Sequence, residues 1–347
     1  MSLEAKSASL VGKNRRPCPV LNAGITPADC GAQRGSKLNC PAECPFYPLG
    51  TASEEPWSRV DSAWCSKVTR CLADRLGQDE VANLMRRLTI KTSDEELDRE
   101  IAFLNVLYRG LLLRRNEAGQ TLVEQWEAEG WGGLNNDERV MMRYRRHCLP
   151  TVVQVRKVLD SRFLRCVDLL APDSPPFVLW SRGAAAKAAR FSRILTWLAH
   201  YPHFSRLDAQ AFDVHPVIWP LWRERFEQEF GQAASAQPGL TPKLYLAQNI
   251  VECSELLFAL AREHRERVEQ ADKELQYRPD LREWLITPLP ALGGLSPSAA
   301  AMDLAQRPKL AELVQLYLGA WEQEHRTPQG VPDTDWVLDE LSMPDLK

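Results

Sequence analysis

The sequence predicts an α+β fold that is mainly α-helical: an N-terminal zinc knuckle of four cysteines, a helical region, a small antiparallel β-module of about five strands, and C-terminal helices. Three observations predict it. Four cysteines, Cys18, Cys30, Cys40 and Cys44, sit in a leader rich in proline and glycine. Apolar residues recur three and four apart over most of the remaining chain, the period of an amphipathic helix. Between Val152 and Val214 that period gives way to short runs rich in β-branched and aromatic residues, the mark of strands. With 347 residues, 44% hydrophobic and 26% charged, the chain has an ordinary globular composition and length for several domains. The expected boundaries are 1–54 for the cysteine-rich segment, 55–149 for a helical domain, 150–216 for the β-module, 217–290 for a helical hairpin region, and 291–347 for a C-terminal helix pair and tail.

In the leader, Pro17, Pro19, Gly31, Gly35, Pro41 and Pro45 leave little room for helix or sheet, so an ordering element other than a packed core is needed. Four thiolates suit one tetrahedral structural zinc, and Cys40 and Cys44 are spaced to bind one ion from a single turn. Arg15, Arg16, Arg34 and Lys37 lie close enough in sequence to offset the negative charge of such a site. The gaps of eleven, nine and three residues are not those of a zinc ribbon, and four cysteines also suit an iron–sulfur cluster. A disulfide framework fits poorly, because MSLEAKSASLVGKNRR has no apolar stretch followed by a cleavage site; the sequence predicts a cytoplasmic chain, where disulfides are rare. Cys65, Cys71, Cys148, Cys166 and Cys253 lie among apolar neighbours and read as small core residues, with Cys65 or Cys71 a substitute ligand.

Beyond the leader, Trp57, Val60, Trp64, Val68 and Leu72 predict a helix over 56–77, and a second follows over 79–88. Ser93 with the SDEE run offers a capping box ahead of Leu97, Ile101, Leu104, Tyr108 and Leu111. Residues 135–147 read as a short helix with a basic end. Strands are expected at 152–158, 163–170 and 177–180. Pro202 divides 191–214 into two more, making a small barrel or curled sheet. From Val217, Ile218, Leu221, Trp222, Phe226 and Phe230 form a helical stripe, and 231–239 reads as a linker. Thr241 and Pro242 open a long helix carrying Leu246, Ile250, Cys253, Leu257 and Leu260. Ser296 and Pro297 start a short helix, and Pro308 opens another to His325. No apolar run approaches the roughly 20 residues that cross a bilayer.

A net charge of −3 hides an uneven distribution, since residues 139–206 hold thirteen Lys or Arg against three acids. The surplus implies a surface for a polyanion or a basic module docked on acidic helices. Arg156, Lys157, Arg162, Arg165, Arg190 and Arg193, interleaved with Phe163, Trp180 and Phe191, are the candidate nucleic-acid contacts. Motifs for a nucleophile elbow, a phosphate-binding loop, a zinc protease and a dinucleotide fold are absent from the sequence. His200, His203 and His215 form an alternative metal site of enzymatic type.

Two segments resemble known families. The order LNNDERV, VVQVRKVLDSRFLRCVDLLAPDSPPFVLWSR and FSRILTWLAHYPHF is similar to a module of bacterial proteins that often carry a SEC-C metal-binding motif, although that motif itself is absent. LGGLSPSAAAMDLAQRPKLAELVQLYL resembles the helix pair of the toxin-binding domain in Xre and ParS-type antitoxins, through Gly294, Ser296, Pro297 and Ala300. That likeness covers about 30 residues and lacks the helix-turn-helix domain of those antitoxins. Together these observations predict a non-enzymatic, zinc-binding bacterial accessory or regulatory protein. Its partner is a macromolecule, nucleic acid or a protein, and it has no membrane role.

Overall fold

A computed structural model describes residues 15–347 except 53, 92–93, 275–279 and 328–329. The chain is a mixed α+β protein in which helices outweigh a small sheet. It divides into two compact units, the first running to Cys148 and including Ala199–His203, the second comprising Leu149–Leu198 and Phe204–Lys347. Among the described residues no single helix is long and apolar enough to cross a membrane.

Unit 1 begins with a two-stranded ribbon, β1 (Arg16–Cys18) and β2 (Ala23–Ile25), then α1 (Pro27–Gln33). The helices α2 (Glu54–Leu76), α3 (Gln78–Arg87), α4 (Glu95–Leu112), α5 (Leu122–Ala128) and α6 (Asn136–Arg145) follow. Trp57, Trp64, Val68 and Leu72 are the buried stripe of α2, as their spacing predicts. Ser93 lies outside the described residues; Asp94 caps α4, its carboxylate accepting from the N–H groups of Glu96 and Leu97. Reciprocal capping boxes start α5 at Thr121 and Glu124 and α6 at Asn135 and Glu138. Arg145, at the end of α6, is buried over the Trp64 ring at 4.2 Å and bonds Asp61 at 2.7 Å. Tyr201 completes this apolar centre, with its ring edge-on to Trp57 at 4.8 Å and tilted against Tyr144 at 5.6 Å.

Unit 2 is built on a closed five-stranded barrel in the order β3-β4-β5-β7-β6. Its strands are β3 (Leu149–Val158), β4 (Phe163–Asp168), β5 (Phe177–Trp180), β6 (Arg193–His200) and β7 (Ser205–Asp213), with α7 (Arg182–Lys187) between β5 and β6. Val153, Val155, Leu164, Cys166, Leu179 and Leu198 fill it, and Ala185 and Ala188 pack against them. The sheet is not antiparallel throughout as expected: β5 and β7 run parallel where Leu179 faces Ser205. Parity demands this, because strands in a closed ring of five cannot all alternate direction. A register shift in β3 between Val155 and Lys157 leaves Arg156 out of the ladder with β4, a bulge of the kind that bends a barrel strand.

The helices α8 (Ile218–Ala236), α9 (Pro242–Gln248), α10 (Ile250–Glu263), α11 (Arg265–Glu274), α12 (Leu281–Ile286), α13 (Pro297–Ala301), α14 (Arg307–Glu324) and α15 (Asp335–Glu340) complete unit 2. Two expectations are corrected here. The linker expected at 231–239 is helical to Ala236, because its Ala and Gln residues are good helix formers. The single long helix expected from Thr241 through the charged 265–275 stretch is three, α9 to α11, with a bend of 89° between the first two at Asn249. There the side-chain Nδ2 of Asn249 donates to the Tyr245 carbonyl at 2.9 Å, a local bond that competes with helix propagation. A second core joins Leu281, Trp284, Leu292, Ala300, Leu310, Val314, Tyr317 and Leu338, with Trp284 stacked on Tyr317 at 4.4 Å.

Candidate metal centre

Local structure turns the four cysteines inward. β1 and β2 pair Arg16 with Ile25 and Cys18 with Ala23, and Asn22 makes the turn with φ of 48°. Thr26 caps α1 and Pro27 opens it, which sets Cys30 on its buried side. Cys40 and Cys44 follow in a chain of tight turns, with Cys44 N–H donating to the Pro41 carbonyl at 3.1 Å and Tyr47 N–H to the Cys44 carbonyl at 3.0 Å. All four side chains are between 5% and 7% exposed, although Val20 and Leu21 beside them face solvent.

Cys30 and Cys40 sense the other cysteines of the segment. Burial pushes the Cys30 thiol up, Cys44 and Cys18 add to that, and the guanidiniums of Arg16 and Arg34 pull the other way. Burial likewise raises Cys40, with Cys44, Cys30 and Cys18 adding to it and the Gly35 backbone N–H opposing. Two of the four basic residues expected to balance the site therefore act on it. Among the described residues no three His, Cys, Asp or Glu side chains stand as ligands around one point, the quartet as placed here included. Each of the four cysteines is nearly buried, and guanidinium and amide N–H groups act on Cys30 and Cys40 toward the thiolate, the form in which cysteine binds a metal ion.

The cysteine segment is bonded to the start of α6. Arg34 grips Asp137 through Nε at 2.8 Å and through Nη2. The Asn136 Nδ2 donates to the Arg34 carbonyl at 2.9 Å, and the Ser36 hydroxyl donates to the Asn136 Oδ1 at 2.7 Å. Gly35 sits beneath the Tyr47 ring with φ of 68°, where an added Cβ would come within 2.8 Å of the ring. His203, read from the sequence as part of a histidine trio, instead donates from Nε2 to the Cys40 carbonyl at 2.9 Å. His200 is exposed, and His215 accepts the Val217 N–H on Nδ1 at 3.2 Å. The structure gives the trio no common ligating array among the described residues. Cys65 and Cys71 lie part-buried on α2, and burial raises the Cys71 thiol.

The candidate nucleic-acid residues divide into two groups. Arg190, with its side chain 1% exposed, is paired with Glu322 at 3.0 Å and with Asp335. Lys157 bonds Asp333 at 3.3 Å and Asp335 at 3.1 Å, and Arg156 donates to the Leu346 carbonyl at 3.2 Å. Arg193 is buried and donates to the Gln315 side-chain oxygen. Those four therefore bond to carboxylate, carbonyl and amide groups within unit 2. Arg165 is exposed and Arg162 half-exposed over the Phe163 ring at 5.0 Å. In the C-terminal segment, Ser296 caps α13, Pro297 is its first residue, Ala300 is wholly buried, and Gly294 takes φ of 87°. Around α13 the large apolar side chains left in solvent are Met302 at 88% and Leu304 at 82% exposure, with Ile286 and Leu295 also exposed.

Neither a family model, nor a curated protein, nor a solved structure matches this chain.

Proposed function

We propose that the chain is a non-enzymatic, cytoplasmic accessory protein whose N-terminal segment is ordered by one structural zinc on Cys18, Cys30, Cys40 and Cys44. The observation that supports this reading is the burial of all four cysteines in a short segment whose other buried large apolar side chains are Ile25, Leu38, Tyr47 and Leu49. The zinc's work is mechanical: it holds Arg34 and Ser36 where they bond α6. Purified full-length protein should be colourless and hold one zinc per chain by elemental analysis, with Cys30→Ser and Cys40→Ser each losing it. A metal-free preparation with the stability of the metal-bound one rejects the reading, and a brown protein with iron replaces zinc with a cluster.

The partner we propose is another protein, engaged through the helices around α13, in keeping with their resemblance to toxin-binding domains. Met302 and Leu304 support this, since neighbouring large apolar side chains in solvent mark interaction surfaces more often than chance. A protein that co-purifies from the native host with the parent chain and not with Met302→Glu/Leu304→Glu is the expected result. Co-purification unchanged by that pair of substitutions counts against it. A second reading, single-stranded nucleic acid, is favoured by the exposed Arg165 and by Arg162 over Phe163. It requires that Arg162→Glu/Arg165→Glu abolish salt-dependent retention on single-stranded RNA; retention that survives the change removes it.

A further inference from the structure

Unit 2 carries a half-open cavity of about 690 Å³ between the 181–194 segment, the end of β7 and α14. That size falls among small-molecule sites, which run from roughly 300 to 1,000 Å³. Its walls are mostly apolar, with Ala184, Ile194, Leu207 and Leu316 among them, and Lys187, Arg190 and Arg193 supply three cations against the single carboxylate of Asp213. Phe191 in the same wall is held at φ of 66°, a conformation that bulky residues seldom adopt. Its N–H donates to the Val155 carbonyl at 2.7 Å, so β3 fixes that turn. α14 closes the other side so tightly that a Cβ added to Gly319 would come within 2.6 Å of the Arg190 carbonyl.

The two buried arginines differ in their partners. Arg190 is matched by Glu322 and Asp335, yet its Nη1 is buried without a hydrogen-bond acceptor. That atom has almost no accessible surface, so it is closed to anything in the cavity, and the group left to receive a ligand there is Arg193. Arg193 has neutral acceptors only: the Gln315 oxygen, and the Gln154 carboxamide turned with its oxygen toward Nε at 3.3 Å and Nη2 at 3.1 Å. The Trp219 ring lies 5.7 Å from its guanidinium. Burial pulls Arg193 down to about 10, the like charges of Arg156 and Arg223 pull it further, and only Glu312 opposes them. A buried cation among cations is stabilised by an anion.

We propose that this cavity binds a small organic monoanion, a carboxylate on an apolar body, with the carboxylate on Arg193 and the body against Leu207 and Leu316. A monoanion fits better than a phosphate dianion. Arg190 already has two carboxylates and Lys187 is exposed to solvent, so Arg193 is the one buried positive charge that needs a partner, and a second negative charge would be desolvated among apolar walls.

The test is thermal denaturation and calorimetric titration of the full chain with hexanoate, phenylacetate and indole-3-acetate. Hexanamide serves as the uncharged control and hexyl phosphate as the dianionic one. At least one carboxylate should bind saturably and raise the melting temperature, with hexanamide and hexyl phosphate weaker by about tenfold or more, the loss expected when a charge-assisted hydrogen bond is removed or mismatched. Arg193→Met should abolish the shift. Leu316→Trp keeps the guanidinium and fills the cavity, so it should abolish the shift too, and it serves where Arg193→Met does not fold. No saturable carboxylate binding, equal binding of hexanamide, tighter binding of hexyl phosphate, or unchanged binding by Leu316→Trp would each overturn the proposal.

Discussion

Arg190 shows how a single side chain decides the role of a charged region. Its guanidinium is buried between Glu322 and Asp335, and Glu322 also accepts from the Arg190 backbone N–H at 3.2 Å and from the Thr334 hydroxyl. Removing one member of a buried, hydrogen-bonded ion network leaves an uncompensated charge, which costs about 3–5 kcal/mol. Arg190→Met should lower the urea midpoint accordingly, whereas Arg165→Met, at an exposed position, should leave it within about 0.5 kcal/mol. Asp335 adds a pH dependence. Burial acts to raise it, but hydrogen bonds from Arg190 and Lys157 outweigh that and hold it below its ordinary value. A depressed carboxylate stabilises the fold above its unfolded pKa of about 3.9 and loses that contribution as pH falls through the folded value. Melting temperature should therefore drop below about pH 4, and Asp335→Asn should flatten the curve in that window. The basic surplus of 139–206 was plain in the sequence; its pairing was not, because Glu322 and Asp335 lie more than 130 residues away and no local period marks them.

Elements whose signals are local were the most legible. The stripe of α2, the Pro202 division of two strands and the caps at Thr241 and Ser296 each follow from a few neighbouring residues. What escaped was set by competition or closure: a carboxamide that breaks a helix at Asn249, and a ring of five strands that must hold one parallel pair. The role of LNNDERV also became visible only in three dimensions. Asn135 caps α6, Asn136 and Asp137 bond the cysteine segment, and Glu138 accepts the Asn135 N–H at 2.7 Å while pairing with Lys67 at 2.6 Å. Glu138→Ala should cost about 1–2 kcal/mol through the lost cap, read as a shift in the urea midpoint. Asp137→Ala should leave helix content unchanged by circular dichroism while Cys30 and Cys40 react faster with a thiol reagent, because Arg34 loses its anchor.

At the scale of the whole chain, two compact units predict two thermal transitions. If zinc orders the cysteine segment, a strong chelator should lower one transition and leave the other in place, and calorimetry with and without chelator reads both. A single transition that moves as a block would mean the units melt together. Unit 1 is also discontinuous, since Tyr201 packs on Trp57 and Tyr144, and His203 bonds the Cys40 carbonyl. During synthesis on the ribosome, the first 148 residues therefore emerge without the five-residue piece that caps their aromatic centre. That centre must wait, with a tryptophan face uncovered, while β3 to β6 are still being translated. A nascent chain stalled near residue 190 should be more sensitive to protease within α2 than one stalled well past residue 203. The order in which the polypeptide is made, and not only the order of its energies, then sets when the amino-terminal half becomes whole.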